Sequence, residues 1–225
     1  MQWDVVLRHR DLLAEGLVVT IEASVASLVL STLGGLVLGL ADSAPVSWIR
    51  SVSRVYVEVF QNTPYLIVVL FMYHGLANAG LLLSPMGAAV LGLSLYSAAY
   101  MAEAIRSGIR SIHRGQWDAA RVNDLSYLQI MRRVVLPQGL VYALPPLTNQ
   151  WVRLVKNTSI LAVIAGGDLL YQTNLLVAQT YVVFEFYLLV AAVYLVITVP
   201  LSRAAEILER RIAWKRVAGA PRTAR

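Results

Sequence analysis

Chemistry in this chain can come only from the few ionisable and polar side chains set inside apolar sequence. Arg153 and Lys156 stand three apart in such a stretch, and Asn157, Thr158 and Ser159 follow directly. An unpaired charge in hydrocarbon costs from about 3 to more than 10 kcal/mol. Spacing of three puts both cations on nearly one helix face. They therefore line a wet pathway and attract a carboxylate, or they pair with Glu58 or Glu103, or they snorkel from a tilted helix. Asn157, Thr158 and Ser159 can hydrogen-bond a polar solute or, equally, a neighbouring helix. Thr63-Pro64 is a second irregularity. Proline removes a helical hydrogen bond and disfavours helical geometry at the residue before it. Such breaks expose backbone to a cavity, so Asn62, Thr63 and Tyr65 are expected to border a pore. Glu58 and Glu103 are expected to meet arginines rather than a substrate. His74 is expected to be a polar anchor.

Other chemistries are missing from the sequence. There are no cysteines, and His9, His74 and His113 are too dispersed for a metal site. No catalytic triad is visible, and no residue is assigned a catalytic role. A Gly-x-x-x-x-Gly-Lys-Ser/Thr loop is absent, so ATP hydrolysis is not expected on this chain.

The elements that must position these groups are membrane helices. Hydrophobic residues make up 58% of the 225 positions and charged residues 14%, against about 25% charged in a soluble domain. Five apolar runs approach the roughly 20 residues that cross a bilayer: 17–40, 55–77, 87–105, 140–166 and 181–201. The fourth contains Pro145 and Pro146 as well as the two cations. Met1 to Gly16 carries charges of both signs, unlike a cleavable signal. Arginines crowd residues 106–136, and the tail after residue 201 adds Arg203, Arg210, Arg211, Lys215, Arg216, Arg222 and Arg225. The positive-inside rule then puts the N-terminus outside and the C-terminus in the cytoplasm. Ala23, Ser27, Ser31, Gly35 and Gly39 recur every four residues in the first run. Such a stripe admits close helix approach, for bundle packing or for a subunit contact.

Residues 106–136 are too long and too patterned for a connector. Gly115 precedes a helical pattern over 116–122, with Trp117, Ala120 and Arg121 on one face. A second helix is expected from Ser126, its N-cap, to Leu136, where Pro137 ends or kinks it. Two short helices at a membrane face suit docking into a partner's groove.

The string IHRGQWDAAR at 112–121 resembles the Glu-Ala-Ala loop of ABC-transporter permeases. RRVVLPQ at 132–138, LPPLTNQ at 144–150, QNTPYL at 61–66, LYSAAY at 95–100 and KNTSI at 156–160 resemble the branch that imports polar amino acids (histidine, glutamine, arginine, opines). The resemblance runs from about Gly16 to Arg211. It implies an all-α membrane protein like the type I ABC importer permeases: one domain, 1–225, with five transmembrane helices and a cytoplasmic coupling-helix loop. It also implies the bacterial inner membrane, a second permease subunit (the same chain or a related one), two cytoplasmic ATPase subunits and an extracytoplasmic solute-binding protein. Lipid is the surroundings and nucleic acid is no partner. ATP and Mg belong to the ATPase, with no cofactor on this chain. Gly115, Gln116, Trp117, Asp118, Ala119, Ala120, Arg121, Asp124 and Leu125 would couple to the ATPase and drive alternating access. The alternatives are a secondary transporter or channel working without an ATPase, and a membrane subunit that moves nothing. Neither needs docking helices, and five unequal spans do not divide into the inverted halves common in secondary transporters.

Three departures stand out. Asp118 replaces the usual Glu. Val122-Asn123-Asp124 replaces Ala-Leu-Gly, so Asp124 must take a glycine-like positive φ, which Asp tolerates better than most side chains. Val68 replaces a frequent Gln, which predicts a missing polar contact in the pore.

Overall fold

The computed structural model describes residues 2–219, with side chains described through Ile212. The side chains of Lys215, Arg216, Arg222 and Arg225, counted above for orientation, lie outside the described residues. Every regular element among the described residues is helical. In chain order they are α1 (Trp3–Arg8), α2 (Arg10–Asp42), α3 (Ser47–Asn62), α4 (Tyr65–Leu70), a π-helical turn (Phe71–Gly75), α5 (Leu76–Asn78) and α6 (Pro85–Arg110). Then follow α7 (Arg114–Val122), α8 (Tyr127–Ile130), a second π turn (Met131–Val135), α9 (Leu136–Asn157), a 3-10 segment (Thr158–Ile164), α10 (Leu169–Thr180) and α11 (Phe184–Gly219).

Three helices are long and apolar enough to cross a membrane alone, α2, α6 and α11, and five spans result if each of two bent pairs counts as one. The central pair is α2 with α6. Ala23, Ser27, Ser31, Gly35 and Gly39 are all buried. A methyl at Gly35 would lie 2.5 Å from Met101 Cβ, and one at Gly39 would lie 2.8 Å from Ile105 Cβ. Residue numbers rise together across this contact, so the two helices run parallel. α6 then meets α9 head to tail. Gly108 is so close to the Gly139 carbonyl that no Cβ fits between them.

The second run is not a straight span from residue 55. α3 starts at Ser47, and the chain bends by 105° between it and the helix that opens at Tyr65. Thr63 is extended, at φ −98° and ψ 130°, because Pro64 blocks helical geometry there. α3 is amphipathic: Ser53 is buried, whereas Trp48, Val52, Val55 and Val59 form an exposed apolar stripe. Val68, expected to weaken a pore contact, is buried in the packed interior.

The fourth run also differs from expectation. Helix continues from Tyr127 to Asn157 and passes through Pro145 and Pro146. Pro137 does not end it; the π turn just before it shifts the hydrogen-bond ladder where the proline lacks its N–H. The run closes at Ala165 and Gly167, both with positive φ. Residues 169–180, between the fourth and fifth apolar runs, form α10. The buried Asp168 caps it, accepting from the backbone N–H groups of Leu170 and Tyr171 at 3.2 and 3.3 Å.

Candidate functional site

The loop after α6 folds as a small helical unit. His113 Nδ1 accepts from the Gly115 N–H at 3.1 Å and opens α7. The chain turns at Asp124, whose φ is 53°, the glycine-like geometry expected for it. Ser126 and Gln129 close a capping box at the start of α8, each side chain bonding the other's backbone N–H. Arg121 pairs with Asp118 at 3.4 Å on the surface.

The structure divides the trio expected on one face. Ala120 is 6% exposed and sits with Ile112, Ile130 and Met131 in the core under the loop, with Trp117 and Leu125 packed against it. Trp117 also stacks on Tyr127, centroids 6.5 Å apart. Arg121 points outward. The reason is α7's amphipathic period: its apolar side covers the bundle's end, which leaves Gly115, Gln116, Asp118, Ala119 and Asp124 exposed beside Val122 at 83% and Leu128 at 74%. Val122 and Leu128 were not singled out in the sequence. Their apolar type three or more residues from Trp117 was the available signal.

The second polar group lies between α9 and α11. Arg153 and Lys156 line a cavity of about 450 Å³ together with Asn149, Ser202, Glu206 and Glu209. Two cations therefore face two carboxylates, so the cleft is close to neutral. Glu209 accepts a hydrogen bond from Thr148. Neither Glu58 nor Glu103 partners the two cations. Glu103 is held by Arg106 on its own helix, and Glu58 lines a separate cavity of about 220 Å³ with Asn62, Gln61 and Arg54. The acids of α11 were missed because they follow the fifth apolar run and read as tail; their spacing of three was the usable signal.

The remaining residues expected on a pathway split. The Tyr65 hydroxyl donates to the Asn157 carbonyl at 2.6 Å and so bridges the proline break to the end of α9. Tyr65 packs on Tyr96, whose hydroxyl is 3.0 Å from that of Tyr100. Thr158 is fully buried and donates to the Val155 carbonyl; Ser159 donates to the Lys156 carbonyl. Asn62 and Thr63 bond the carbonyls of Glu58 and Val59 within α3. The structure thus joins Arg153 with Lys156 and Tyr65 with Asn157, and keeps Thr158 out of the cleft.

A fold built on two bent helix pairs and a docked basic loop can be compared with known proteins. The family of binding-protein-dependent transport system inner membrane components matches residues 31–214. The chain belongs to this family. It is therefore a multi-pass inner-membrane permease of the ABC importer type, and a transporter working without a binding-protein-dependent system is set aside. Among its relatives, the "Probable glutamine ABC transporter permease protein GlnM" of Bacillus subtilis (strain 168) is 42% identical over 205 residues, 88% of this chain and 92% of the relative. The "Glutamine transport system permease protein GlnP" of Escherichia coli (strain K12) is 37% identical over 216 residues, 93% and 97% of the two chains. The crystal structure of an amino acid ABC transporter with histidines superposes with a TM-score of 0.87 at 32% identity, covering 94% of this permease and 99% of that chain. Inward-facing methionine transporter MetNI shares the fold, with a TM-score of 0.75 at 19% identity.

Proposed function

We propose that this permease carries a polar amino acid, glutamine or a close relative, through a pore it forms with a second permease subunit. An extracytoplasmic solute-binding protein delivers the amino acid, and two ATPase subunits supply the energy with ATP and Mg on their own chains. The loop and the arginine-rich helix ends face the cytosol, with the N-terminus outside. The observation that carries the reading is near full-length similarity to two glutamine permeases and to an amino-acid transporter structure.

Within this reading the ATPase contacts the exposed side of the loop: Gly115, Gln116, Asp118, Ala119, Arg121 and Asp124, with Val122 as the apolar centre. Trp117, Ala120 and Leu125 support that surface from beneath. The cleft of Arg153 and Lys156 against Glu206 and Glu209 suits a zwitterion, cations toward its carboxylate and acids toward its ammonium. Asn62, Thr63 and Tyr65 border the path at the proline break, and Asn157 faces them from the end of α9 through its bond with Tyr65.

The test is purification of the tagged permease from its native membrane, followed by reconstitution with the co-purified chains. An ATPase chain is expected in the complex, and with the solute-binding protein added outside and ATP enclosed in the vesicles, labelled glutamine should accumulate, in competition with other polar amino acids. Uptake that persists in vesicles stripped of every nucleotidase would overturn the reading.

A further inference from the structure

The loop is covalently continuous with α6 on one side and with α8–α9 on the other. Helices α2, α3 and α4 have no such connection, so a displacement of the loop reaches them through their packing against α6 and through polar contacts. Single bonds such as Tyr65 to the Asn157 carbonyl and Tyr56 to the Leu95 carbonyl make part of that link, and several charged and polar contacts gather beside the loop, at the corner where α2 ends and α3 begins. Asp42 is 6% exposed there. Its Oδ1 accepts from Arg54 Nε of α3 at 2.6 Å. Its Oδ2 faces Arg106 and Arg110 in the last turns of α6 at 3.7 and 3.8 Å. Those two separations are too long for hydrogen bonds, and Oδ2 has no other hydrogen-bond partner among the described residues. One residue further on, the Ser43 carbonyl accepts from the Tyr127 hydroxyl at the start of α8. Arg50 completes the corner by donating to the Ala44 and Pro45 carbonyls at 2.7 and 2.8 Å.

These two links differ physically. Tyr127 to Ser43 is a directional bond to backbone and moves the corner with the loop. Asp42 is shared among three guanidiniums, and Coulomb attraction falls only as 1/r. It therefore holds over an ångström of travel in which a hydrogen bond would be lost. We propose that Asp42 and Tyr127 are positioning residues for transport: they carry the motion of the ATPase-docked loop into α2 and α3, and so into the broken span at Thr63-Pro64. This rests on the functional reading above and adds the route by which the first two spans are driven.

The experiment uses the whole complex in proteoliposomes and measures glutamine accumulated per ATP hydrolysed in one preparation. The variants are Tyr127→Phe, Asp42→Asn and Asp42→Glu. Tyr127→Phe removes a single oxygen and keeps the ring against Trp117, so it carries the test even if Asp42→Asn fails to assemble. Tyr127→Phe and Asp42→Asn are expected to keep the ATPase bound and hydrolysing, while glutamine moved per ATP falls about fivefold or more. Asp42→Glu should restore most of that ratio. Wild-type uptake per ATP in Tyr127→Phe, and in Asp42→Asn where it assembles, overturns the proposal. So does a parallel loss of uptake and hydrolysis that Asp42→Glu does not restore, since that is a purely structural role. A wild-type complex without an ATPase, or one that does not carry glutamine, fails the functional reading itself and is recognised before any variant is compared.

Discussion

Lys156 presents its charge to the cleft, whereas the hydroxyls of Thr158 and Ser159 are spent on nearby carbonyls. Hydrogen bonds to charged groups are worth about 1.5–3 kcal/mol. Lys156→Gln should therefore raise the KM of uptake by roughly 10- to 100-fold, while Thr158→Val should leave KM within about twofold and cost only about 1 kcal/mol of stability. Uptake kinetics on both variants check this contrast. Asp124 makes a different residue-scale prediction. It is exposed and has φ 53°, so backbone conformation is the main quantity a substitution changes. Asp124→Gly should stabilise the loop by about 0.5–1 kcal/mol, and Asp124→Val should destabilise it by about 1–2 kcal/mol. Thermal unfolding of the purified complex in detergent reads both signs.

Helix pairs set the next scale. The α2–α6 contact depends on small residues because its backbones approach closely where lipid offers no hydrophobic push. Gly35→Ala would bring a methyl within 2.5 Å of Met101 Cβ and 3.2 Å of the Ala102 N. The helices must separate or Met101 must shift, at about 1–3 kcal/mol. Val37→Ala, at a position 67% exposed on the same helix, should change stability by less than about 1 kcal/mol. Melting temperatures of the two variants in detergent decide whether the stripe packs as described. The proline breaks work in the opposite sense. Thr63-Pro64 turns a span by 105°, yet Pro145 and Pro146 leave α9 helical. A neighbouring extended residue is tolerated at the first site, whereas α6 and α11 pack along α9 and hold the second in line.

For the molecule as a whole, the loop both seals the end of the bundle and offers a surface. Substitutions on its two sides should separate these roles. Val122→Asp should release the ATPase on co-purification, a loss of about 2 kcal/mol or more in binding at an interface centre, with the permease's own melting temperature unchanged. Ala120→Leu, overpacking the cluster with Ile130 and Met131, should instead lower the permease's melting temperature first, at about 1–3 kcal/mol. Release by Ala120→Leu alone, with Val122→Asp still bound, would place the docking surface elsewhere.

The positive φ at Asp124 followed from the glycine that the resembling permeases carry at that place. Three long apolar helices, the cap at Ser126 and the break at Thr63 were legible from local signals in the sequence. Each follows from composition, proline geometry or a single side chain reaching its own backbone, and none needs a distant partner. Even the small-residue stripe announced a close contact, although not its partner α6. Which polar groups meet was settled by the packing of the helices. Arg153 and Lys156 face Glu206 and Glu209, some fifty residues later in the chain, rather than Glu58 or Glu103, and Asp42 gathers arginines from α3 and α6. Helix period says which side chains share a face. It does not say which other face is turned toward them, because that depends on crossing angles and bends summed over the whole bundle.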